Sequence, residues 1–236
     1  MKRTLLIAVP VLIAGVLFVM QSFTSKSSSA DIKEFNIPAF TAIELDGAFN
    51  VQFTQSETPS AKVEASAADL EQIAIEVKNE VLRVKMKPNH KYKDVRIQLS
   101  TPQLKKVAMS GSGNFRTTNA LTAPELMFSL AGSGNVDADM STNEVKVAVA
   151  GSGNVNFSGT TKKFKVDIAG SGNVKANKLK SSAVKADVAG SGSAYVWVGE
   201  ELNASVAGSG SIYYSGDPKN VQQNIAGSGT VQRKEN

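Results

Sequence analysis

The 236-residue sequence contains no cysteine and a single histidine, His90. Without cysteine the chain has no disulfide, no thiol nucleophile, no cysteine-based zinc site and no cysteine-linked lipid anchor. With one histidine, a histidine-rich metal centre is excluded, and a Ser-His-Asp triad would need His90, which lies in a polar stretch typical of a solvated loop. These absences narrow the possible chemistry without deciding it; taken over the whole sequence, we expect a protein that is not an enzyme, with no catalytic residues, no metal site and no cofactor.

An excess of one charge is also lacking over most of the chain. The formal net charge is +5, but Lys2, Arg3 and Lys26 lie in the first 30 residues, which contain no acidic side chain. The remaining residues carry 23 basic and 21 acidic side chains. This near balance predicts no nucleic-acid partner.

The sequence has one long hydrophobic run, from Leu5 to Met20, and no other of comparable length. Two basic residues, Lys2 and Arg3, precede this run, and small polar residues ending at Ala30 follow it. This layout is typical of an export signal. The run of 16 residues is shorter than the roughly 20 that span a bilayer comfortably. Residues 1–30 are therefore predicted to be a cleaved signal peptide or an uncleaved membrane anchor. If the segment is not cleaved, it is the only part of the chain expected to contact a membrane. The rest of the chain is expected in the periplasm, at the cell surface or tethered to a membrane.

Residues 31–103 show short segments in which apolar residues alternate with polar ones, the period of half-buried strands. Turn residues such as Asp46-Gly47 separate the segments. Residues 67–72 could form one helical turn. We expect six strands in this N-terminal region, around Ile43–Leu45, Val51–Phe53, Lys62–Ala65, Ile73–Val77, Leu82–Met86 and Val95–Leu99.

Residues 104–236 repeat the motif Gly-Ser-Gly seven times at spacings of 18 to 21 residues. A fixed period of this length indicates a solenoid. An alanine precedes six of the seven motifs, and the first four are followed by asparagine, the last three by serine or threonine. The motif glycines are Gly111 and Gly113, Gly132 and Gly134, Gly151 and Gly153, Gly170 and Gly172, Gly190 and Gly192, Gly208 and Gly210, and Gly227 and Gly229.

These repeats predict an all-β, single-chain β-solenoid, a parallel β-helix in which each coil has about 19 residues. Alternation, as in Val145–Val149, points every second side chain inward, and the glycines turn a corner. The asparagines are expected to form a hydrogen-bonded ladder from coil to coil. Parallel crossovers are usually right-handed, and we expect that hand; two or three faces per coil remain possible. The ladder residues are Asn114, Asn135, Asn154 and Asn173.

The segments Phe35–Ile43 and Asp46–Val51, followed by the serial Gly-Ser-Gly-Asn motifs, resemble the DUF2807 family, labelled "putative auto-transporter adhesin, head GIN domain". The resemblance covers about residues 35–230. It implies an exported bacterial β-solenoid with an adhesin role and no established catalytic residues. We expect residues 31–236 to form one continuous domain of the cell envelope or surface that binds a polysaccharide or a protein.

The strongest candidate ligand-binding residues are aromatic: Tyr195, Trp197 and Tyr213. Alternation directs them outward, and the two tyrosines hold the same position in adjacent coils. Exposed aromatic faces suit sugar rings or an apolar partner. The alternatives are a ladder that only stabilises the last coils, or packing against another subunit. A carbohydrate-binding envelope module is therefore the second functional hypothesis.

A third hypothesis, a polysaccharide-active enzyme, depends on Asp167 and Asp187, which occupy the same outward position in successive coils. Such a pair would have the separation found in retaining glycosidases. However, Lys165 and Lys185 precede them by two residues, so the favoured interpretation is a solvated charged face. The charged end, Arg233–Glu235, favours a monomer, because charge on an edge strand discourages stacking.

Overall fold

The computed structural model describes residues 30–87 and 94–234. The expected export segment falls outside the described residues except for Ala30, and His90 lies outside them as well. Seventeen strands belong to one hydrogen-bonded network. In chain order they are β1 (Asp31–Phe35), β2 (Ala42–Asp46), β3 (Asn50–Gln55), β4 (Ser60–Ala65), β5 (Ile73–Lys78), β6 (Val81–Met86), β7 (Arg96–Thr101), β8 (Lys106–Gly111), β9 (Asn114–Thr117), β10 (Leu121–Gly132), β11 (Asn135–Gly151), β12 (Asn154–Gly170), β13 (Asn173–Gly190), β14 (Ser193–Gly208), β15 (Ser211–Gly216), β16 (Asn220–Gly227) and β17 (Thr230–Arg233).

A single short helix, α1 (Ala67–Leu70), interrupts the strands in the described ranges. Ser66 caps it by accepting a hydrogen bond from the backbone N–H of Asp69 at 3.2 Å, the usual role of serine at this position. No described helix has the length and apolar character that crossing a membrane would require.

The repeats form a stack of parallel strands. Strands β11 to β14 each run from one Gly-Ser-Gly motif to the next, and neighbouring strands align glycine with glycine: Gly151 with Gly170, Gly170 with Gly190 and Gly190 with Gly208. The prediction of an all-β solenoid is confirmed. Its right-handed sense stays a prediction.

The core fills the inside of the stack because alternate side chains of each strand point inward. One inward column carries small and branched residues over five successive coils, all of them buried: Val136, Val155, Val174, Ala194 and Ile212. Phenylalanines fill the wider parts, where the ring of Phe157 lies 4.9 Å from that of Phe128 and 6.2 Å from that of Phe164, measured between centroids. Each coil thus buries its apolar side chains against the coils on either side.

The glycine corners combine an unusual backbone with a lack of space. Gly151 has a φ of 119°, and a Cβ there would lie 2.6 Å from the carbonyl oxygen of Gly132. Gly153 has no such φ, but its Cβ would lie 2.7 Å from the oxygen of Gly134. The first glycine of the motif is therefore needed both because its φ is positive and because a Cβ would collide with the neighbouring coil. The second glycine is needed only because a Cβ would collide there.

The stack extends upstream of the first Gly-Ser-Gly motif. Strands β2 and β3 pair in parallel with β8 and β9, and on their other side with β6 and β7. The corner between β2 and β3 is Gly47, whose carbonyl oxygen would lie 2.7 Å from a Cβ placed on Gly111. Strands β4 and β5 cover this end in antiparallel orientation, on β7 and β6 respectively.

The opposite end of the stack has no such cover in the described residues. Strand β16 pairs with β14, and β17 with β15. All eight residues of β16 are exposed. The two ends of the rod are therefore different: one is closed by antiparallel strands, and the other presents a coil with an open edge.

Candidate binding surfaces

A ladder of asparagine side chains follows the glycine corners along the rod. Each amide nitrogen donates to the side-chain oxygen of the preceding coil, at 2.7 to 3.2 Å. The ladder begins at Asn50, one coil before the first motif, and a hydroxyl bond from Thr230 to Ser211 (3.1 Å) follows the same column near the other end. These hydrogen bonds join neighbouring coils, so the amide groups of the asparagines are engaged in holding the stack together. The asparagine residues are Asn50, Asn114, Asn135, Asn154 and Asn173.

The two candidate tyrosines form a stacked pair. Tyr195 and Tyr213 are opposite each other in the parallel register of β14 and β15, and their ring centroids are 4.9 Å apart with planes inclined by 21°. Both side chains are half-buried. They line a hollow of about 270 Å³ together with Asn177, Val196, Tyr214, Ser215 and Lys234.

The hollow has a positive border. The ammonium group of Lys234 lies 6.0 Å from the ring centroid of Tyr195 and 5.5 Å from that of Tyr213, which is within range of a cation–π interaction. Lys175, which is exposed, stands opposite Tyr195 in the register of the preceding coil. The aromatic pair therefore lies beside the ammonium group of Lys234, and the neighbouring position in the preceding coil is a second lysine.

Trp197 is not part of this hollow, although alternation predicts that it shares the face of Tyr195. The register shifts between β13 and β14, so that Ala176 opposes Val196 but Lys180 opposes Trp197. The indole is half-buried, with the ammonium group of Lys180 5.5 Å from its ring centroid. The structure thus brings the two tyrosines together and places the tryptophan beside a lysine of the neighbouring coil.

The aspartates of the enzyme hypothesis are paired with lysines. The ammonium group of Lys165 is 2.9 Å from a carboxylate oxygen of Asp167, and that of Lys185 is 3.7 Å from Asp187. The hydrogen bond that Lys165 donates to the Asp167 carboxylate, together with the negative charge of that group, raises the pKa of Lys165. This is the arrangement of an exposed, solvated face. In the described part of the chain, no group of three or more His, Asp or Glu side chains is placed to hold a metal ion.

A shallow groove runs beside the glycine corners, a feature that sequence reasoning missed. Two hollows of about 400 and 440 Å³ share Ala148 and Ala150 and so form one continuous surface. It is lined by the alanines that precede six of the seven motifs, all of them exposed, and also by Asp167 and Asp187. The sequence signal for this groove is the recurrence of alanine at the same outward position in six coils. These alanines are Ala131, Ala150, Ala169, Ala189, Ala207 and Ala226.

Comparison with known proteins agrees with this geometry. A family model described as "Putative auto-transporter adhesin, head GIN domain", DUF2807, matches residues 39–218. Among curated proteins, none matches this chain.

Three solved structures share this fold. One titled "putative adhesin" from Bacteroides fragilis is 26% identical with a TM-score of 0.85, covering 88% of this chain and 98% of its own. Another from Parabacteroides merdae is 27% identical with a TM-score of 0.66, covering 89% and 98%. A third, titled "Putative lipid binding protein" and from Parabacteroides distasonis, is 22% identical with a TM-score of 0.74, covering 89% and 98%. At that identity the third likeness concerns the fold alone.

Proposed function

The chain belongs to the DUF2807 family, and on this basis we propose that it is an exported, adhesin-like module of the cell envelope or surface that binds its partner without catalysing a reaction. Membership of the family and the likeness to two structures named as adhesins support a surface interaction role. The predicted export segment at residues 1–30 supports a place outside the cytoplasm.

The observation that carries this proposal is the open groove beside the glycine corners. It extends over successive coils, so a ligand lying along the rod would meet an exposed alanine in each of them, with the carboxylates of Asp167 and Asp187 beside that row. Exposed small apolar side chains allow close approach of an extended ligand over a long contact. A polymer or a fibrous protein surface fits this shape better than a small molecule.

Binding by the immobilised protein to intact bacterial cells and to purified envelope polysaccharides tests the proposal. Replacing Ala169 and Ala189 with arginine should abolish binding, because the longer side chains fill the groove. The matched control is Thr160→Arg, an exposed position on the same stack that is followed by Lys180 in the next coil. Binding that survives the groove variant, or that both variants weaken equally, would contradict a role for the groove.

A second candidate function is recognition of acidic carbohydrate by the tyrosine hollow. The stacked rings of Tyr195 and Tyr213 offer an apolar face for a sugar ring, a contact that aromatic side chains favour. Lys234 and Lys175 stand beside that face and would pair with a carboxylate or sulfate group. These charges favour an acidic glycan over a neutral one.

Calorimetric titration with alginate, and with dextran as the neutral probe, tests this candidate. We expect saturable binding of alginate only, with affinity reduced about fivefold by Tyr213→Ala, since stacking on an aromatic ring contributes on the order of 1 kcal/mol. The control is Trp197→Phe, which lies outside the hollow and should bind as the unaltered protein does. Equal binding of both polysaccharides, or no effect of Tyr213→Ala, would exclude the hollow as the site.

A further inference from the structure

Strand β16 leaves one of its edges unpaired in the described residues, and its apolar side chains are exposed there. The strand pairs with β14 from Asn220 to Gly227. Val221 and Ile225 stand in inward columns, opposite Leu202 and Val206. Yet they are 38% and 43% exposed, whereas those two neighbours are 0% and 2% exposed. The end of the apolar core is therefore uncovered here.

This edge lacks the features by which proteins usually prevent strand edges from pairing. Between Asn220 and Gly227 there is no charged residue and no proline, and the pairing of β16 with β14 contains no register shift. Charge, proline and bulges are the common means of protecting an edge. At the other end of the rod, the antiparallel strand β5 covers the edge of β6.

We propose that the edge of β16 binds the β16 edge of a second copy of this chain, in antiparallel orientation about a twofold axis at Gln223. In this register Val221 faces Ile225 of the partner subunit, and Gln222 faces Asn224 of the partner subunit. Inward side chains then meet inward ones and outward side chains meet outward ones, as a continuous sheet requires. In this arrangement the apolar side chains of Val221 and Ile225 would cover each other across the junction. The amides of the two Gln223 side chains, which stand in the inward column of buried Ala204, would meet at the axis.

The charges around the strand are compatible with this pairing. Lys219, the nearest charged residue before β16, would face Gly227 of the partner subunit, so no like charges oppose each other in the paired segment. The charges that predict a monomer lie on β17 and after it. Arg233 bonds to Asp217 at 3.2 Å, and Lys234 lies over the tyrosine rings. They therefore do not protect β16, and the experiment below decides between the two expectations.

The absence of native cysteine makes the register directly testable. Residues directly opposite in an antiparallel pair have Cα atoms about 4.5–5.5 Å apart, within the range that a disulfide spans. Under mild oxidation Gln223→Cys should give a disulfide-linked dimer. Gln222→Cys is the matched control: its two thiols would be diagonal neighbours with Cα atoms roughly 7–8 Å apart, which is too far for efficient linkage.

Sedimentation velocity on the purified protein supplies the second measurement. The unaltered protein should dimerise as concentration rises, and Gln223→Lys should raise the dissociation constant about fivefold, because like charges would stand directly opposite each other. Ser152→Lys, at an exposed position in the middle of the rod, should leave it unchanged. A protein that stays monomeric at every concentration, a dimer insensitive to Gln223→Lys, or equal crosslinking of both cysteine variants would overturn the proposal.

Discussion

At the scale of single residues, Gly151 shows why the motif needs its first glycine. Its φ of 119° is a conformation that side chains disfavour, and the space where a Cβ would lie is next to the backbone oxygen of Gly132. Gly151→Ala should lower the free energy of unfolding by about 1–3 kcal/mol from backbone strain alone. Chemical denaturation measures this loss.

The control for this substitution lies one residue further along the corner. Ser152 is exposed, and Ser152→Ala should change stability by no more than about 0.5 kcal/mol. If the two substitutions cost the same, the corner would not depend on the glycine conformation.

At the scale of strands, β13 contains extra residues that the regular coil does not need. Its pairing with β12 shifts between Asn156 and Ser158, and its pairing with β14 shifts between Ala176 and Lys180. Deletion of Asn177, an exposed residue in this bulge, should therefore cost only about 1 kcal/mol, in the range of an average single change. Thermal unfolding followed by circular dichroism provides the measurement.

Deletion of Asn156 is the matched comparison, because it removes one residue from the regular pairing of β11 with β12. Side chains alternate, so the rest of that strand would turn its apolar residues outward. We expect loss of cooperative unfolding. Similar melting curves for the two deletions would contradict the assignment of Asn177 to a tolerated bulge.

The strands also show how far the sequence could predict this molecule. The Gly-Ser-Gly period predicts the solenoid, and alternation predicts the position of Tyr195 and Tyr213, because both depend on regular local geometry. The coil of β2 and β3 shows no complete motif, since Phe49 stands where the second glycine would be. The place of Trp197 depends on a register shift in the adjacent strand, and alternation within one strand contains no information about its neighbour.

At the scale of the whole molecule, the stack is closed at one end and open at the other, so stability should decrease towards the open end. Ile168 and Ile225 occupy the same inward column of successive coils, but the first is 2% and the second 43% exposed. In a stack stabilised by neighbouring coils, the last coil has only one neighbour. It should therefore open first and contribute least to the global free energy of unfolding.

Truncating each isoleucine to alanine tests this gradient. Ile168→Ala should cost about 2–5 kcal/mol, as for a buried isoleucine, whereas Ile225→Ala should cost under about 1 kcal/mol because much of its side chain already contacts water. Denaturation at high dilution gives the intrinsic values, since association between copies is then suppressed. Repeating it at high concentration should raise the cost of Ile225→Ala alone if second copies cover that end. Equal costs at high dilution would mean that the last coil is as well packed as the middle of the rod, which would contradict an open end.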